Sequence, residues 1–149
     1  MKNFFYIILI SLTFISSTCS EKENDKHTSI AFTNNSDNSV YVISQFYYPD
    51  TLIKFYFTPE GNSFYKISAH SKGVPGHLTD NYEDRLKEIG KVMVFVFDAE
   101  VLETTPWETV KANYLVLKRY DLSLADLQRM NWTITYPQQK SRIALTFLI

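Results

Sequence analysis

Two hydrophobic periods run along this chain, and together they predict a β-rich body with short helices in its connections. Period-two alternation marks strands at Ile30–Thr33, Val40–Tyr48, Leu52–Phe57 and Phe64–Ile67. Asn34–Ser39 lies between the first two and is rich in residues that bond their own backbone, so a hairpin is expected there. Pro49-Asp50 and Pro59-Glu60-Gly61-Asn62 read as the next turns. Lys91–Asp98, KVMVFVFD, is apolar on both faces and is therefore expected in the middle of a sheet, covered on both sides. Further strands are expected at Tyr114–Arg119, at Trp132–Tyr136 and in the apolar tail Ile143–Ile149.

Helical spacing takes over in three places. Asp80 reads as an N-cap with Glu83 as its box partner, Tyr82, Leu86 and Ile89 share a face, and Gly90 supplies the stop. Thr105-Pro106-Trp107-Glu108 reads as a cap, a first-turn proline and a box partner, with Trp107, Val110 and Tyr114 towards the core. Ser123 and Asp126 form a third capping box, with Leu122 stapled to Leu127. Asp98–Thr105 reads as a connector and Ser68–Thr79 as an irregular loop. The fold class that follows is mainly β: an Ig-like β-sandwich with two or three short helices in its connections. An α+β two-layer domain is the alternative, because the second half alternates helix and strand. Its helices of about two turns are short for parallel crossovers.

The first residues follow another logic. Lys2 precedes an apolar run from Phe4 to Ile15, a length that suits a secretory signal better than a bilayer span. Cys19, the single cysteine, follows at once, and Ser20–Ser29 is polar and mostly charged, with nothing apolar to bury. The expected organisation is a signal peptide over 1–18, a flexible tether over 19–29 and one globular domain over 30–149. With one cysteine the domain has no internal disulfide to rely on. A net charge of −1 gives no electrostatic case for nucleic acid. The 10 tyrosines and 11 phenylalanines against 4 glycines lean towards strands.

Candidate chemistry is thin. The Ser68–Thr79 loop holds His70 and His77, but two imidazoles with no Cys or HExxH partner fall short of a closed metal site. Ser71 lacks the strand–Gly-x-Ser-x-Gly–helix setting of an activated serine. Asp98, Glu100 and Glu103 are the carboxylates that a small hydrolase would use, yet they simply follow a buried strand and read equally as a solvated turn. No catalytic residue, metal ligand or cofactor is assigned.

Four features resemble known proteins. Cys19 directly after the signal core resembles the lipobox of bacterial lipoproteins, with Ser16 and Thr18 standing where that family favours Leu and Gly or Ala. The resemblance implies cleavage before Cys19 and lipid attachment at its thiol. The charged tether is similar to the export signal of lipoproteins in Bacteroides-type bacteria, which implies an outer-membrane anchor and surface exposure. Asp50-Thr51-Leu52 resembles the O-glycosylation sequon of the same group, which implies a glycan on Thr51. Lastly, VFDAEVLETTPWETV and NYLVLKRYDLSLADLQRMNWTITYP resemble a family of small uncharacterised lipoproteins of those bacteria. This chain departs from it in the apolar tail after Tyr136-Pro137. The family implies location and no mechanism.

The expected function is therefore a lipid-anchored cell-envelope protein without catalytic activity, held to the membrane through Cys19 and binding a protein or glycan partner. Exposed clustering of Tyr47, Tyr48, Tyr56, Tyr65 or Trp107 would mark such a surface. An envelope assembly subunit pairing through an exposed strand is the alternative, and a small hydrolase is a more distant one.

Overall fold

A computed structural model describes residues 26–58 and 64–138. The expected signal peptide, Cys19, the expected turn at Pro59–Asn62 and the apolar tail lie outside the described residues.

Among the described residues the chain is mostly β, with seven strands in two sheets and four short helices. The strands are β1 (Ala31–Asn34), β2 (Val40–Gln45), β3 (Tyr65–Ile67), β4 (Ser71–Gly73), β5 (Val92–Asp98), β6 (Lys118–Leu122) and β7 (Thr133–Tyr136). The helices are α1 (Tyr82–Ile89), α2 (Ala99–Thr104), α3 (Trp107–Ala112) and α4 (Leu124–Arg129). The larger sheet has the order β3-β2-β5-β6 and is antiparallel throughout. The smaller has the order β4-β1-β7, with β1 antiparallel to β4 and parallel to β7.

β5 lies in the middle of the larger sheet, and six of its seven residues are buried. One face carries Val92, Val94 and Val96 and packs with Val40 and Val42 against Phe32, Ile134, Leu86 and Leu127. The other carries Met93, Phe95 and Phe97 and packs against Ile53, Phe57, Phe64, Leu102 and Val110. Burying both faces of one strand needs two covers. The smaller sheet with α1 and α4 makes the first; α2, α3 and the segment after β2 make the second.

The expected β1–β2 hairpin is not formed. The Asn34–Ser39 turn carries the chain from one sheet to the other, so it works as a corner. Asn34 is fully buried there and holds the corner together, its amide donating to the carbonyls of Asn38, Ile67 and Ser68 at 2.8, 3.3 and 3.0 Å. Leu52–Phe57 is likewise no strand, although Ile53 and Phe57 are buried while Lys54 and Tyr56 are exposed. Alternation here reports which side chains go inward, and the backbone partners come from elsewhere. Conversely, the Ser68–Thr79 loop contains β4, and the expected connector after Asp98 is α2.

Helix ends match their sequence signals unevenly. Ser123 and Asp126 form the full capping box. α1 is capped by Asn81, whose side chain accepts from the Asp84 amide at 2.8 Å, one residue later than the Asp80 expectation. Asp80 instead pairs with Arg85 at 2.8 Å. α3 has no side-chain cap, and Thr105 closes α2 with its amide donating to Val101 O at 2.9 Å.

Candidate binding groove

The residues singled out for chemistry are tied into the scaffold separately. Asp98 caps α2, accepting from the Glu100 and Val101 amides at 2.9 and 3.2 Å. Glu103 receives the Tyr41 hydroxyl at 2.9 Å and the Lys66 ammonium at 2.6 Å, and those two bonds hold its pKa below the usual carboxylate range. Glu100 is exposed. His70 Nε2 meets Asp37 at 3.0 Å on the open surface, and the Ser71 hydroxyl donates to the Ser68 carbonyl at 2.7 Å. His77 lines a hollow of about 820 Å³ along β2, opposite Phe55 and Phe64, whose walls include none of the three carboxylates. Among the described residues no three metal-ligating side chains come together.

The expected aromatic face is divided by the fold. Trp107 joins the second core, its ring centroid 5.5 Å from Phe64 and 6.0 Å from Phe97, with its indole N–H donating to Phe55 O at 2.9 Å. Tyr48 packs partly buried beside the same core, and Tyr65 sits on β3 with its side chain exposed. Tyr47 and Tyr56 stay exposed, each with a lysine over its ring: Lys54 at 4.9 Å from the Tyr47 centroid and Lys111 at 5.5 Å from that of Tyr56.

Those two lysines belong to an open groove of about 790 Å³. Its first wall is Thr51–Lys54, its second is Lys111 with Tyr114 at the end of α3, and its third is Arg119 with Asp121 on β6. Leu52 is 70 % exposed and Tyr114 46 %, so apolar and aromatic surface faces solvent here. The first wall is an extended segment without a strand partner, and β2 supplies its anchor through a side chain. Gln45 is fully buried; its amide donates to Leu52 O at 2.7 Å and its carbonyl accepts from the Lys54 amide at 3.4 Å. One glutamine thus stands in for a strand neighbour, meeting the rule that buried polar groups be paired. Asp50 Oδ1 accepts from the Leu52 amide at 3.0 Å, which turns the chain and leaves Thr51 half-buried on the groove wall.

Every cation of the groove has an acid beside it. Lys54 lies 2.7 Å from Asp50, Lys111 3.6 Å from Glu108, and Arg119 2.9 Å from Asp121. Arg119 also donates to the Tyr114 hydroxyl at 3.3 Å and to Asp121 Oδ2 at 3.1 Å. Burial works against the guanidinium charge, but Asp121 and Tyr114 outweigh it and hold the Arg119 pKa above its ordinary value. Asp121 Oδ1 is buried and lies 2.9 Å from Arg119 Nε, so the ion pair with Arg119 is its partner.

Sequence reasoning passed over this groove because its residues come from three separated stretches and one of them, Tyr114, reads by period as a core residue. The chain matches no family model, no curated protein and no solved structure.

Proposed function

We propose that this chain is a lipid-anchored protein of the cell envelope, fixed to the outer membrane through Cys19 and surface-exposed, whose domain is a non-catalytic binding module. The observation that carries the reading is the open groove between Thr51–Lys54, Tyr114 and Arg119, where apolar surface is exposed beside polar side chains already tied to one another. Exposed apolar surface rimmed by polar groups is the usual mark of a contact site. Two of the candidate acids, Asp98 and Glu103, are by contrast tied to a helix cap, a tyrosine and a lysine.

The sequence supports the anchor: a signal core, one cysteine after it and a charged segment before the first strand. The same proposal reads the two sheets as a sandwich of Ig-like character; its support is the shared core between them and the parallel pairing of the first and last described strands, β1 and β7. The carry-over from the lipoprotein family, including a glycan on Thr51, belongs to this proposal as well.

The test uses the full chain on its own anchor. Wild type and Leu52→Asp are each used to capture material from the envelope of the native cell. Material retained by wild type and lost from a variant of equal melting temperature supports the reading; equal retention overturns it. Labelled palmitate should enter wild type and leave Cys19→Ser unlabelled.

A second reading has its own observation. Among the described residues β6 is the last strand of its sheet, and Leu115 and Leu117 are exposed just before it. That is the geometry of an edge able to accept a neighbouring strand, as an envelope assembly subunit would.

A further inference from the structure

β6 is an edge strand whose inner side belongs to the core. Among the described residues it pairs with β5 alone, and its backbone groups make no other backbone hydrogen bond. Tyr120 and Leu122 are buried in the first core, while Leu115 and Leu117 stand exposed just before the strand. An edge of this kind invites pairing, and folds cover or blunt it. The edges β3 and β4 are only three residues long each. The remaining edge, β7, alternates Ile134 and Tyr136 with the polar Thr133 and Thr135.

Residues 143–149, IALTFLI, alternate Ile143, Leu145, Phe147 and Ile149 with Ala144, Thr146 and Leu148. A strand with apolar residues on both faces needs a cover on each side, as β5 does. Beside β6, one face would extend the row of Tyr120 and Leu122 and the other would lie by the exposed leucines. Beside β7, one face would adjoin two threonines.

The chain also leaves the domain at the right place. Tyr136 is paired with Asn34, whose amide donates to Asn38 O at 2.8 Å, and Asn38 reaches Asp98 at 3.5 Å. Asp98 is two residues past Val96, the partner of Lys118. Tyr136 therefore lies at the Lys118 end of β6, and the Tyr120 hydroxyl donates to Thr135 O at 3.2 Å between the two sheets. Packed sheets stand about 10 Å apart, and the stretch 138–142 spans about 17 Å when extended. A strand starting there runs along β6 from Lys118 towards Leu122.

We infer that residues 143–149 form a fifth strand of the larger sheet, parallel to β6 on its outer edge and within the same chain. The short connection from β7 gives this pairing an effective concentration that a second copy does not match. It goes beyond the groove as a binding surface, and it withholds from partners the edge on which the second reading rests.

The test is made on the detergent-solubilised full chain in two parts. The β6 amides that point away from β5 should exchange roughly a hundredfold or more slower than in an unfolded chain. A photoreactive amino acid at Phe147, or in a second variant at Leu148, should give light-dependent adducts within residues 115–122 of the same chain, migrating as monomer. These two positions face opposite sides of a strand, so an ill-tolerated label at one leaves the other to report. Fast exchange at those amides overturns the inference. So do adducts confined to other elements, adducts that join two chains, or no adduct at either position.

Discussion

The imidazole of His27 lies flat on the indole of Trp132, with ring centroids 3.8 Å apart and planes 10° apart. The pair closes the domain where the chain enters from its amino-terminal segment. His27 Nδ1 also meets Glu83 at 2.7 Å, the other Glu83 oxygen accepts the His27 amide at 3.0 Å, and Lys26 pairs with Asp84 at 2.7 Å. Burial disfavours the Glu83 charge, but the bonds from His27 outweigh it and keep its pKa below the ordinary carboxylate value. Lys26 and His27, ahead of the first strand, are thus tied to α1. Trp132 has φ of 55°, and the stack rewards the left-handed turn that brings it there.

His27→Ala should lower stability by about 1–2 kcal/mol, from the lost stack and the lost bond to Glu83. Amide exchange should rise first at Leu78 and Tyr82, whose N–H groups donate to Thr28 O and His27 O at 2.8 Å each. Urea unfolding with site-resolved exchange reads both, and unchanged protection at those two amides would show that the stack holds nothing in place.

Val94→Asp should abolish folding. Val94 is 1 % exposed in the first core, and a lone carboxylate there costs several kcal/mol, comparable to the whole stability of a domain of this size. A cooperative thermal melt near that of wild type would contradict the placement of β5 in the middle of the sheet.

How far the sequence carried the fold is clearest at Val92–Asp98. Its unbroken apolar run specified a strand covered on both faces, and the structure covers both. Ser123 with Asp126 was equally readable, because a capping box is a local device whose partners lie within one turn. What stayed hidden depends on distant partners. The alternation of Leu52–Phe57 shows which side chains go inward, whereas the backbone bonds that would make it a strand are replaced by Gln45 and Trp107. The Asn34–Ser39 turn has the same composition whether it closes a hairpin or changes sheets. Tyr114 has core spacing from Val110, but α3 ends at Ala112 and the left-handed turn throws the ring outward. The groove was invisible for the same reason: its three walls meet only through these non-local choices.

Tyr114→Gly should raise stability by about 1 kcal/mol, since it removes the left-handed penalty at the end of α3 while the turn bonds remain. Denaturant midpoints of wild type, Tyr114→Gly and Tyr114→Ala separate the terms. Glycine should exceed wild type and alanine should not; a glycine variant below both would mean that the tyrosine side chain serves the fold.

Raising the pH above 10 should weaken the domain through its buried tyrosines. Burial, with the neighbouring Tyr136 phenol, pushes the Tyr120 hydroxyl up to about 12 from an ordinary value of 10.0; Tyr82 is raised by burial, and Tyr41 by burial and then by its bond to Glu103. A raised folded value means that the neutral phenol belongs to the fold. Stability from Tyr120 is complete below pH 10 and is lost as pH rises from there towards about 12, on the order of 2 kcal/mol for this residue. Tyr120→Phe removes the titration at the cost of the bond to Thr135 O at 3.2 Å, and its stability should fall less steeply over that window. An identical slope in the two proteins would contradict this assignment.

The most direct measurement of the binding-module account is photo-crosslinking on intact native cells, with a photoreactive amino acid placed at Leu52 in the groove, at Lys72 on β4 or at Glu88 on α1. The expected result is a light-dependent adduct from Leu52 that disappears when Tyr114→Gly is added, with none from Lys72 or Glu88. Adducts from Lys72 or Glu88 and none from Leu52 would contradict it.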